Sequence, residues 1–251
     1  MGFFVALIQL CIVENLLRFS FGNAKLPATT AILDIPAGYT CPGAHLCQSR
    51  FDRGTGKIID GPNTVFRCFS ATQESRPNVH KKRWHNLELM KQAGNLPQLL
   101  IDSLNYRLER KTTHVRWHVS GDFFSYQYCK AVLLAAQATP DLTHYFYTKS
   151  LHLWQDVLLP DNVFLTASRG GKYDHLIDQG YFPRNATVVY TEGEAEEKGL
   201  PIDHDDSHCY TGDPHAFGLL VHGTQPKGSV ANAAIQLRKK QGNLTGYSKR
   251  Q

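Results

Sequence analysis

From Thr29 onward the chain repeats one arrangement six times: a short β-rich run, a polar turn, then sequence of helical character. The β-rich runs are Thr29 to Ile35, Thr113 to Val119, Thr143 to Tyr147, Val163 to Ala167, Ala186 to Tyr190 and Phe217 to Val221. Helical sequence is expected from about Trp84 to Arg110, with Pro97 starting its second half, and at Tyr126 to Ala138. Shorter stretches follow at Leu151 to Leu159, Tyr173 to Gln179 and Glu194 to Lys198, and a closing helix runs from Ser229 to about Lys240. Ser125 and Ser229 stand where N-caps belong. A strand returns parallel to its predecessor only through a crossover long enough to hold a helix, so the pattern predicts β-α-β units and a parallel sheet.

Polar residues follow the strands: Ser120-Gly121-Asp122, Thr148-Lys149-Ser150, Ser168-Arg169-Gly170-Gly171, Thr191-Glu192-Gly193-Glu194 and His222-Gly223-Thr224-Gln225. A doubly wound sheet gathers its chemistry at one switch point, whereas a β/α barrel uses the loop after every strand. The even spread therefore favours an α/β fold of the partial (β/α)6 TIM-like barrel kind, with its active face at the strand C-terminal ends. Ser120, Gly121, Asp122, Lys149, Ser168, Glu192, His222 and Gly223 become the candidate cofactor-binding residues, expected at one mouth.

A chain of 251 residues with 42% hydrophobic and 20% charged residues can bury one large core. Residues 23–242 read as a single domain, 1–22 as an N-terminal extension and 243–251 as a flexible tail. The apolar run Gly2 to Val13 ends at Glu14-Asn15, short of the roughly 20 residues a membrane span needs, so no span is expected. It has no basic n-region; a packed or upstream-start extension is the first reading and a targeting or anchoring segment the second. The segment from Met1 to about Phe21 is expected to be dispensable. The net charge of +5 is spread along the chain and decides nothing about partners.

Six cysteines are too few to staple a chain of this length, which points to reduced thiols or metal ligands and a cytoplasmic location. Three of them, in Cys41-Pro42-Gly43-Ala44-His45-Leu46-Cys47 and, after 20 further residues, Cys68, form a loop behind the first strand. Soft thiolates select iron-sulfur clusters or zinc. Three ligands on a four-iron (4Fe-4S) cluster would leave one iron open. Zinc with His45 or Cys209 as fourth ligand, and plain buried thiols, remain alternatives. Cys129 lies in an apolar helical stretch and Cys11 in the N-terminal run, so neither joins this unit.

The blocks Asn23-Ala24-Lys25-Leu26-Pro27, Pro36-Ala37-Gly38-Tyr39-Thr40-Cys41-Pro42-Gly43-Ala44, His118-Val119-Ser120-Gly121-Asp122-Phe123-Phe124-Ser125 and Tyr147-Thr148-Lys149-Ser150 resemble the Gene product 88 domain family of mycobacteriophages and bacteria. That resemblance runs from about Asn23 to the last helix and implies a phage or bacterial setting without assigning a reaction. More loosely, the layout is similar to radical S-adenosylmethionine enzymes, whose partial barrels carry three cluster-binding cysteines after the first strand. This similarity implies Cys41, Cys47 and Cys68 as ligands and puts Gly121-Asp122 where such enzymes hold the methionine amino group. The spacing departs from the C-x3-C-x2-C of that class, and the stretch between Cys47 and Cys68 holds an insertion with turn signals at Arg53-Gly54-Thr55-Gly56 and Asp60-Gly61-Pro62-Asn63.

Three further groups carry weight. His114, Arg116, His118, Ser120 and Asp122 alternate along one strand, and period-two spacing puts all five on the same face, lining a cavity or facing solvent. His204-Asp205-Asp206-Ser207-His208-Cys209 with Asp213 and His215 has the composition of a divalent-metal site, or of an ordinary polar loop. His222 to Ser229 is a Gly-bearing strand-to-helix turn suited to an anion, without a Walker A pattern. The functional expectation is an iron-sulfur enzyme resembling the radical S-adenosylmethionine class, acting on an undefined substrate. The alternative is a zinc-stabilised nucleic-acid-binding protein, supported by Lys81-Lys82-Arg83-Trp84 and Arg238-Lys239-Lys240. A hydrolase using the His204 to His215 loop is the third.

Overall fold

The computed structural model describes residues 15–109, 111–212 and 215–242. Its strands are β1 (Phe19–Phe21), β2 (Thr30–Leu33), β3 (Ser49–Phe51), β4 (Ile58–Asp60), β5 (His114–Trp117), β6 (Thr143–Thr148), β7 (Val163–Ser168), β8 (Asn185–Val189) and β9 (Ala216–Leu220). Its helices are α1 (Phe69–Gln73), α2 (Pro77–Gln92), α3 (Leu96–Arg107), α4 (Tyr126–Gln137), α5 (His175–Asp178), α6 (Glu192–Glu197) and α7 (Val230–Lys240).

All six expected strands are present, and they lie side by side in chain order, β2-β5-β6-β7-β8-β9, each pair parallel. With no reversal in that order there is no switch point, and right-handed crossovers, the general rule, would bring successive helices to one face. The burial agrees. Leu33, Trp117 and Phe146 align across β2, β5 and β6 and share the main core with Leu87 of α2, Leu100 of α3 and Val132 of α4. The opposite face carries the register row Ile32, Arg116, Tyr145 and Phe164, with Tyr147 beside Thr166. Residues 203–210 cover it.

The sheet does not close on itself among the described residues: β1, antiparallel to β2, is one edge and β9 the other. The architecture is thus a mixed α/β fold on an open, mostly parallel seven-stranded sheet. No described helix is long and apolar enough to cross a membrane.

The boundary expected at residue 22 does not hold. Phe19, Ser20 and Phe21 pair with Leu33, Ile32 and Ala31, Leu17 is fully buried, and its N–H donates to Ser103 Oγ at 3.0 Å. A truncation through Phe19 would therefore strip an edge of the sheet; three residues of alternation were too few to announce it. Residues 1–14, including Cys11, and the tail at 243–251 lie outside the described residues.

Three local differences have plain causes. The helix expected over 84–110 begins earlier, at Pro77, and breaks at Ala93-Gly94-Asn95, where Asn95 caps α3 by accepting from Gln98 N–H at 3.2 Å. The helix expected over 151–159 is one 3-10 turn at Leu151–Leu153, because Trp154 packs against Phe123 and Phe146 at 4.7 and 4.8 Å and fixes the chain there. The insertion between Cys47 and Cys68 is the β3–β4 hairpin, with Ser49 opposite Asp60.

Candidate functional site

A cavity of about 190 Å³ opens at the C-terminal ends of β5, β6, β7 and β9, lined among others by Cys41, Cys47, Cys68, Asp122, Lys149 and Ser168. The loop carrying the first two thiols leaves β2 through Gly38, whose positive φ of 77° a residue with a Cβ adopts only with strain. Its N–H then reaches Cys41 Sγ at 3.3 Å, while Thr40 Oγ1 donates to Pro36 O at 2.7 Å. The far end of the loop is sewn to the turn after β7. Leu46 N–H donates to Gly170 O at 3.0 Å, Lys172 N–H to Gly43 O at 2.9 Å, and Ala44 bridges Gly171. Asp174 holds that turn in shape by accepting from the N–H groups of Gly170 and Gly171 at 2.8 and 2.9 Å.

Gly43 sits so close to the next loop that a methyl group there would strike the Lys149 carbonyl. Backbone cannot yield as a flexible side chain does, so Gly43→Ala is expected to cost about 1–3 kcal/mol by overpacking. It should also loosen the thiol loop, and both effects are measurable: urea unfolding for the first, the rate of thiol modification by a disulfide reagent for the second. Unchanged reactivity would show that the loop is held elsewhere.

Burial is the main force that disfavours charge on Cys41, Cys47 and Asp122 at the rim. Burial, then the Asp122 carboxylate and the Cys68 thiol, push Cys41 well above an ordinary thiol. Burial pushes Cys47 up to about 11 against the opposing pull of Lys149, with Cys68 and Asp122 adding to the rise. Burial also raises Asp122, although Thr148 Oγ1 (2.6 Å), Phe123 N–H (2.7 Å) and Lys149 N–H (2.9 Å) all donate to its carboxylate. Lys149 does not neutralise this group directly; its ammonium goes to Ser168 Oγ at 2.7 Å, Ser168 O at 3.1 Å and Arg169 O.

Of the expected site residues, Gly121, Asp122, Lys149, Ser168, His222 and the three loop thiols do line one cavity. Ser120, Glu192 and Gly223 do not. Ser120 is buried behind the rim, its N–H donating to Asp34 Oδ1 at 2.9 Å. Glu192 is exposed, because the polar turn after β8 is spent on starting α6: Thr191 Oγ1 accepts from Glu194 N–H at 3.1 Å. Gly223, at φ 80°, turns the chain so tightly that its backbone lies against Phe69. In the following turn Ser229 caps α7 by accepting from Asn232 N–H at 3.1 Å and Lys227 is exposed, so this is an ordinary strand-to-helix turn. His222 tilts against Phe69 at 4.2 Å between ring centres, and burial pushes its pKa down to about 3.

The alternation from His114 to Asp122 fails past Trp117. His118 adopts φ 64°, and its ring turns to the helix side, where Nε2 meets Tyr128 OH at 3.0 Å and the ring packs edge-on to Phe123 at 4.8 Å. Arg116 stays on the polar face and forms the cavity floor. Its Nε pairs with Asp206 Oδ2 at 3.0 Å, Lys25 Nζ pairs with Asp206 Oδ1 at 2.8 Å, and Tyr147 OH donates to Asp203 Oδ2 at 3.0 Å. Arg116 and Asp206 were singled out in sequence but in separate groups; the part of the site that sequence reading missed is their pairing and the roles of Lys25, Tyr147 and Asp203. The described residues of the His204 to His215 loop gather no divalent-metal site: the oxygens of Asp206 are taken by Lys25 and Arg116, His204 and His215 are exposed, and Cys209 turns inward to Thr166 Oγ1 at 3.0 Å. Asp213 lies outside the described residues. Among the described residues, no three His, Cys, Asp or Glu side chains are gathered as a single metal ion requires.

A family model described as Gene product 88 matches residues 15–241. The chain belongs to the Gene product 88 family. The span matched in this Gene product 88 protein starts ahead of β1 and ends after α7, so the edge strand at Phe19–Phe21 is part of the family unit. No curated protein and no solved structure matches the chain.

Proposed function

We propose that the cavity is the active site of an iron-sulfur enzyme resembling the radical S-adenosylmethionine class, with the open parallel sheet acting as a partial (β/α)6 barrel. The observation that carries this reading is the convergence of Cys41, Cys47 and Cys68 on one cavity at the strand C-terminal ends. Two features of the donor set favour a cluster over a single zinc ion. Zinc draws four donors to about 2.3 Å (thiolate) or 2.0 Å (imidazole), nearly touching one another, whereas a cluster offers separate irons to separate thiolates. The two fourth donors expected for zinc are also turned elsewhere: the His45 ring meets Asn63 at 3.4 Å and Cys209 meets Thr166.

Cys41, Cys47 and Cys68 would hold the cluster, and Gly121 and Asp122 would face S-adenosylmethionine. Ligation requires thiolates, and a cationic iron core would offset the burial and the neighbouring acidic groups that push Cys41 and Cys47 up. When bound, cluster and cofactor together supply one-electron chemistry. The chain's own part is positional. Gly38 N–H supports negative charge on Cys41 sulfur, Asp122 is held by three donors as an acceptor for an ammonium group, and Phe66, Phe69, Val188 and Leu219 form an apolar wall that keeps water out.

Anaerobic purification followed by iron, sulfide and zinc analysis tests this. Iron and acid-labile sulfide are expected in equal amounts, with S-adenosylmethionine binding, followed by calorimetry, at least tenfold weaker in Asp122→Ala. Stoichiometric zinc without sulfide would turn the reading to a zinc-stabilised protein, and absence of both metals would end it.

A further inference from the structure

Outside the cavity, the β3–β4 hairpin and the first turns of α2 form a continuous strip of aromatic rings. Tyr39 meets Trp84 edge-on at 5.0 Å, Trp84 tilts against His80 at 5.8 Å, and His80 meets Phe51 edge-on at 5.7 Å. Cations lie on those rings: the Arg53 guanidinium is 4.4 Å from the Trp84 ring centre and that of Arg50 is 5.9 Å from Tyr39. Arg76, one turn before His80 on α2, is exposed beside the strip, as is Lys81. Tyr39 is itself 44% exposed. The sequence run Lys81-Lys82-Arg83-Trp84 does not account for this surface. Arg83 is buried on Glu74, Gln73 and Ser70 O, and Lys82 is turned to Ser20 Oγ at 3.0 Å. It is the hairpin arginines that supply the charge over the rings.

We propose that this strip binds single-stranded nucleic acid. Exposed bases stack on rings and guanidinium planes without regard to sequence, while neighbouring cations follow the phosphates, and both elements are present here on one surface. The hairpin that carries the strip is tied to the cavity lip, because Asp60 at the end of β4 accepts from Arg67 Nε at 2.9 Å and Arg67 lines the cavity. None of Tyr39, Arg50, Arg53, His80, Lys81 and Trp84 lines that cavity, so the proposal does not rest on the iron-sulfur reading.

The test uses the full chain and a fluorescein-labelled oligo-thymidylate, with anisotropy titrations at several salt concentrations. Arg50→Ala/Arg53→Ala should weaken binding about tenfold at low salt and lower the log–log salt slope by about 0.7 for each phosphate no longer neutralised. Tyr39→Ala should weaken binding severalfold at every salt concentration with the slope unchanged, and Tyr39→Phe should restore it. Lys130→Ala, on the exposed side of α4, is the control and should bind as the parent does. Iron content should be the same in all four variants, which separates failure here from failure of the cavity reading. Equal binding by the parent and the arginine double variant would overturn the proposal. So would no binding by the parent, or binding only to phosphatidylserine-containing vesicles in a sedimentation assay.

Discussion

Replacing Cys41, Cys47 or Cys68 by Ala should each remove most of the iron bound by the anaerobically purified protein, while Cys129→Ala and Cys209→Ala leave it in place. The three loop thiols line one cavity, and Cys68 adds to the rise that burial gives Cys41 and Cys47, whereas Cys129 is buried in the core beside Val132 and Cys209 is bonded to Thr166 on the covered face of the sheet. A cluster with three protein ligands does not survive on two, so the losses should not be graded by residue. Each variant is expected to retain its cooperative unfolding in urea within about 1–2 kcal/mol of the metal-free parent, since none of the three side chains is a core residue. Partial iron loss that differs among the three would point to adventitious binding. Loss on Cys209→Ala equal to the others would require a closed four-thiolate centre and end the open-iron reading.

The expected strands proved readable because each is a short β-branched or aromatic run closed by a polar turn, and that local signal survives packing. What failed were features fixed by contacts distant in sequence. Phe19–Phe21 became a strand only through pairing with Ala31 to Leu33, and the 151–159 helix was pre-empted by Trp154 docking on Phe123 and Phe146. The site divides in the same way. Asp122, Lys149, Ser168 and His222 were legible because strand ends of a parallel sheet share one side. The polar turn after β8 looks identical in sequence, yet Thr191 and Glu194 use it for capping. Asp206 was visible only as one acid in a charged loop; its partners Lys25 and Arg116 lie 181 and 90 positions away, so no spacing rule could join them.

That buried trio sets the largest stability effect. Asp206→Asn should cost about 3–5 kcal/mol at neutral pH, because it takes the ion-paired carboxylate from two buried cations, Lys25 and Arg116, at once. The side chains involved are 2–8% exposed, and Asp206 sits at φ 64°, a conformation Asn tolerates, so the substitution deletes charge without adding backbone strain. Burial alone would raise the Asp206 pKa; Lys25 and then Arg116 outweigh it and hold the carboxyl below the usual range. A folded pKa below the unfolded value of about 3.9 means that this stabilisation is complete above that pH and is lost as pH falls through the folded value. The stability gap between parent and Asp206→Asn should therefore be full at pH 7 and shrink only in strong acid. Lys25→Met/Asp206→Asn should cost less than the sum of its single variants, since the ammonium whose ion pair Asp206→Asn removes is itself gone in the pair. Arg116 retains carbonyl partners, Trp117 O at 2.6 Å and His118 O at 3.2 Å, so part of the loss should persist in the double variant. Urea unfolding at pH 7 and near pH 3 measures all three, and a loss below about 1 kcal/mol for Asp206→Asn at pH 7 would show that the trio is solvated rather than buried.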